Sequence, residues 1–151
     1  MATVEVTFTP LPAHVRTARL VATAVARRSG VDEALLDEVR LAVGEACSRA
    51  VEAHQRHCPA EPVRIEMTDT DERFVVVVSD HAPSAPASPP EPVGREGEDE
   101  SAAPGQDGGI AIPAGFGLAV ISGLADDVRV SSSSSGVSVR MSWPSAAATT
   151  A

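Results

Sequence analysis

The stretch Leu41–His54, LAVGEACSRAVEAH, decides how the chain is read. With Leu35 and Val39 just upstream, Ala42, Val43, Ala46 and Ala50 recur at helical spacing. Such an apolar stripe is one face of a helix laid against a core. Glu45 and Arg49 stand one turn apart in it. Taken alone they are a helix-surface ion pair, worth about 0.3–0.5 kcal/mol. Glu45 also continues the series Glu38, Glu45, Glu52, which recurs as a solvated stripe does.

Elements of both kinds flank this helix. Asp32 is placed as its N-cap, with Val31 and Leu36 as a hydrophobic staple. Upstream, Val4, Val6 and Phe8 alternate as a strand. Pro12 opens a helix over Ala13–Ser29, and Gly30 stops it. Downstream, past Pro59 and Pro62, Val63, Ile65 and Met67 alternate. A tight Asp69–Glu72 connection leads to the apolar run Phe74–Val78, which ends at Ser79-Asp80. The pair reads as a hairpin. Later come a short apolar helix, Leu118–Ala125, a strand at Val128 and Val130, a serine-rich strand end and turn, and a last strand from Val137 to Trp143. The order predicts an α/β two-layer sandwich, with two to three helices on one face of a mostly antiparallel sheet of about five strands.

Residues 1–145 read as one domain, with a frayed tail at 146–151. His81–Ala114 differs in kind: it holds seven of the twelve prolines, five glycines and six acidic residues against one Arg. That composition cannot offset its ordering entropy, so a mobile lid or insertion is expected over 81–114.

The formal charge of -9 argues against nucleic acid and anionic membrane as direct partners. The chain has no Lys, Asn or Tyr, which excludes a P-loop and Schiff-base chemistry. Cys47 and Cys58 make no disulfide framework and no metal spacing, and Cys47 reads as a small buried hydrophobe. His54, His57 and His81 lack carboxylate partners and read as surface or turn histidines. No signal-like or membrane-length segment is visible, so a cytoplasmic location is expected.

Three stretches together, RLAVGEACSRAV, VVVVSD and GFGLAVISGLADDVRV, resemble the GHKL ATP-binding (Bergerat) fold of histidine kinases and Hsp90-like ATPases. The resemblance is closest to the anti-sigma-factor serine kinases. It implies ATP or ADP as ligand, and a sigma factor or its antagonist as partner; a homodimer is compatible with it. It makes Glu45 the base toward an attacking hydroxyl. Arg49 takes the place of the family's Mg²⁺-holding Asn, and a guanidinium has no lone pair for a metal. Asp80 becomes the acceptor for the adenine amino group, although Ala82 and Ser84 replace the two glycines that follow it in the family. Gly115, Gly117 and Leu118 open the helix end that would face phosphate. The resemblance therefore implies a nucleotide-fold regulator acting by partner switching, with kinase activity weakened or lost and Mg²⁺ unsupported. The alternative is an active ATP-dependent serine/threonine kinase acting on an anti-sigma-factor antagonist.

Overall fold

The computed structural model describes residues 2–70, 72–82 and 120–145. Gly115, Gly117, Leu118 and nearly all of the 81–114 stretch lie outside the described residues. Strand β1 (Ala2–Phe8) leads to α1 (Pro12–Arg28). A single 3-10 turn, Glu33–Leu35, runs into α2 (Leu36–His57). Then follow β2 (Val63–Asp69), β3 (Arg73–Ser79), a third helix α3 whose described residues are 120–124, β4 (Asp127–Ser133) and β5 (Gly136–Pro144).

The five strands form one sheet in the order β1-β2-β3-β5-β4, and every neighbouring pair is antiparallel. The hairpin from β4 to β5 inserts β5 beside β3 and leaves β4 at the edge. The two-layer α/β sandwich expected from the pattern is the fold observed. Alternation along each strand sorts the residues. Val63, Ile65 and Met67 on β2, Phe74, Val76 and Val78 on β3, and Val139, Met141 and Trp143 on β5 join one buried core with the apolar stripes of α1 and α2.

Local signals act as their chemistry dictates. Gly30 adopts φ +90°, where a Cβ would be strained, and Val31 N–H closes onto Ala26 O at 3.1 Å to end α1. Asp32 Oδ1 accepts from Ala34 N–H at 2.8 Å, so it caps the 3-10 turn that precedes α2. Strand β4 runs through Ser131–Ser133, further into the serine run than its apolar residues suggest, and α2 continues to His57. On β5, Trp143 Nε1–H donates to Leu124 O at 3.1 Å and fastens α3 to the sheet.

Cys47 is fully buried between the helices and the sheet. Burial pushes its thiol up to about 12, against a smaller opposing pull from the Arg19 guanidinium. It is the inert apolar filler that its position implied. Among the described residues no helix is long and apolar enough to cross a membrane, and no cluster of three His, Cys, Asp or Glu side chains is arranged to hold a metal.

Candidate functional site

Strand β3 delivers Asp80 to the end of the sheet nearest the C-terminal half of α2. The start of β5 closes over it. Asp80 N–H donates to Val137 O at 2.9 Å, and Asp80 Oδ1 accepts from Val137 N–H at 3.2 Å and Ala82 N–H at 3.0 Å. Gly136 makes this approach possible: it sits at φ +139°, and a Cβ there would overlap the Asp80 carbonyl oxygen.

From α2, Arg49 reaches across to this carboxylate. Its Nη1 donates to Asp80 Oδ2 at 2.9 Å. The Asp80 side chain is 1% exposed and that of Arg49 15%, so the pair is a buried one. Arg49 Nε is buried too, and among the described residues it has no hydrogen-bond partner. The helix-surface pair between Glu45 and Arg49 does not form. Glu45, half-buried one turn earlier, has no ion pair or hydrogen bond among the described residues.

A histidine bridge adjoins the pair. His54, also on α2, is fully buried and not the surface residue its sequence context implied. His81 N–H donates to His54 Nε2 at 2.8 Å, which leaves Nδ1 to carry the proton and donate to Glu61 O at 2.9 Å. His81 Nδ1 lies 3.7 Å from Glu61 Oε1, an ion pair when His81 is protonated. One imidazole thus ties the end of α2 to the loop before β2 and to the residue after Asp80. Sequence reasoning missed this bridge; the only hint was a histidine at the last apolar position of the α2 stripe.

The donor set decides what the site can hold. Magnesium does not fit, because the α2 position facing Asp80 carries a guanidinium, which offers only donors. A base amino group needs an acceptor, yet both Asp80 oxygens are already engaged and the carboxylate is shut from solvent. With the Arg49–Asp80 bridge closed, the Asp80 carboxylate is turned inward and is shut away from an incoming purine. Of the six site residues expected from the sequence, the fold brings Arg49 and Asp80 into contact and sets Glu45 one helical turn from Arg49. Gly115, Gly117 and Leu118 lie outside the described residues.

Comparison with known proteins bears on the whole domain. Among solved structures, the RsbU and RsbW domains of Rv1364c from Mycobacterium tuberculosis superpose with a TM-score of 0.65 at 14% identity. The match covers 95% of this chain and 32% of that one, so this chain spans about a third of its neighbour's length; the likeness concerns the fold. No curated protein matches the sequence. The family of the histidine kinase-like ATPase domain matches residues 8–143, from the last residue of β1 to the penultimate residue of β5. Sheet order, helix layer and this near-complete match agree: the chain belongs to the histidine kinase-like ATPase domain family.

Proposed function

We propose that this domain is an anti-sigma-factor-type regulator that works by partner switching, gripping a sigma factor or its antagonist, with kinase activity weak or absent. The observation that carries the proposal is the buried Arg49–Asp80 bridge. It puts a fixed positive charge where the family resemblance calls for a metal ligand, and it draws inward the carboxylate that would recognise adenine. A fold kept intact around such a bridge supports a role in binding rather than turnover. Calorimetry with ATP and ADP, each with and without Mg²⁺, on the wild-type chain and on Arg49→Asn tests it. The expected result is weak nucleotide binding indifferent to Mg²⁺ in the wild type, and Mg²⁺-dependent binding gained by Arg49→Asn. Tight Mg²⁺-dependent binding by the wild type would sink it.

A second reading, an ATP-dependent serine/threonine kinase acting on an antagonist protein, is favoured by one observation. Glu45 is unpaired among the described residues and half-buried, as a carboxylate available to take a hydroxyl proton would be. Transfer of labelled γ-phosphate from ATP to a serine of a bound antagonist, abolished by Glu45→Gln, is the result that would decide for it.

A further inference from the structure

The sheet face away from α1 and α2 holds a separate feature. Where β3, β5 and β4 run side by side, a cavity of about 420 Å³ opens beside three arginines, Arg73, Arg129 and Arg140. They are not equivalent. Arg73 is satisfied: its Nη1 is 2.8 Å from Asp126 Oδ2, and its Nη2 donates to Ser142 Oγ at 2.6 Å. Arg129 is loosely held, its Nε 3.4 Å from Asp127 Oδ2 with a side chain 72% exposed. Arg140 has no ion pair or hydrogen-bonding side-chain partner among the described residues, and it stands directly opposite Arg129 in the β4–β5 register. Like charges directly opposite on one sheet face repel, and among the described residues only the loose Asp127 contact of Arg129 offsets it.

The strand that carries Arg129 is also an open edge. β4 is last in the sheet order, and its register with β5 runs unbroken from Asp127↔Ser142 to Ser133↔Gly136, without a bulge. Residues 129–133 are exposed on both faces, and Val130, on the helix-side face, is 46% exposed. Proline, lysine and bulges are the usual means of blunting an edge. β4 has none of them. The opposite edge differs. There Glu5 on β1 is 2.6 Å from Arg64, which also meets Glu66 at 2.9 Å, so its charges are already matched.

We propose that β4 is a docking edge for an extended acidic segment of a partner protein, which adds a sixth strand and places a carboxylate beside Arg129, on the sheet face that Arg140 shares. Strand addition supplies main-chain hydrogen bonds, and the alternate side chains supply selectivity. The incoming strand presents acidic residues on the face of Arg129 and Arg140 and an apolar residue on the face of Val130. In a chain of net charge -9, this local pair of cations steers an acidic strand to this edge. The proposal is independent of the Arg49–Asp80 site, which lies at the helix-facing end of β3.

A labelled peptide alternating glutamate and valine is the probe, with two controls: lysine in place of glutamate, and backbone N-methylation that blocks strand pairing. Titrated against the full chain by fluorescence anisotropy, the glutamate peptide should bind and both controls should not. Arg129→Glu and Arg140→Glu should each weaken it about tenfold. The double charge reversal should transfer preference to the lysine peptide. Both arginines are exposed, and an unchanged thermal melt confirms folding of each variant. Absence of binding, indifference to charge reversal, or undiminished binding of the N-methylated peptide overturns the proposal. So does a homodimer that Arg140→Glu splits, since the edge would then belong to a second copy.

Discussion

Replacing Arg49 by leucine tests the bridge most directly. Removing one partner of a buried ion pair costs about 3–5 kcal/mol, because the other charge is left in a poor dielectric. Here that cost is reduced on one side. Asp80 keeps two backbone donors, Ala82 N–H at 3.0 Å and Val137 N–H at 3.2 Å, so the stranded carboxylate is not bare. Arg49→Leu should therefore cost about 2–3 kcal/mol. With a urea dependence of about 2 kcal/mol per molar, the unfolding midpoint should fall by roughly 1–1.5 M at unchanged slope. Asp80→Asn keeps an oxygen for the same two N–H groups, removes the charge and turns the acceptor of Arg49 Nη1 into an NH2 donor. A double-mutant cycle over the two substitutions should then return a coupling of about 1–2 kcal/mol. The corresponding double change to apolar residues should not restore stability, because the Ala82 and Val137 amides would lose their acceptor. A coupling below about 0.5 kcal/mol, the range of exposed pairs, would refute the reasoning and reduce the bridge to a surface contact.

Four further outcomes follow from the same structure. Gly136→Ala forces a Cβ into the Asp80 carbonyl at positive φ and should cost about 3 kcal/mol or more, read as a lowered Tm. His54→Leu leaves the His81 N–H and the Glu61 carbonyl without their ring partner and should cost about 2 kcal/mol by chemical denaturation. Iodoacetamide should label Cys58 in the native chain and reach Cys47 only after unfolding. Because burial raises the Cys47 thiol from 9.0 to about 12, the unfolded chain releases that proton first as pH rises. Its contribution is thus fully present below pH 9 and is lost between 9.0 and about 12, at up to about 1.4 kcal/mol per pH unit. Measured in a Cys58→Ser background, that decline should disappear in Cys47→Ala.

The layers were legible because they rest on local periodicity. The apolar alternation of Val63, Ile65 and Met67, and the helical stripe through Val39, Ala42, Val43 and Ala46, point to the same buried faces that the fold uses. Arg49 was not legible in the same way. Its nearest sequence partner at helical spacing is Glu45, but its partner in space is Asp80, 31 residues on, which only the docking of α2 beside the end of β3 brings within reach. His54 failed for a related reason. A histidine among Glu52, Gln55, Arg56 and His57 looks solvated until the loop before β2 and the residue after Asp80 close over it. The open edge at β4 was likewise hidden, because strand order follows from which hairpin pairs with β3, and no local pattern records that.

The imidazole of His54 has one more consequence, for how the elements are held together. Residue 82 leaves the sheet from a tethered post: His81 N–H is held by His54, and Ala82 N–H by Asp80. The returning chain is moored a few residues on, where Leu124 O takes the Trp143 indole. The end of β3 and the end of α3 are thus each pinned to the sandwich by a side chain from another element, His54 in one case and Trp143 in the other.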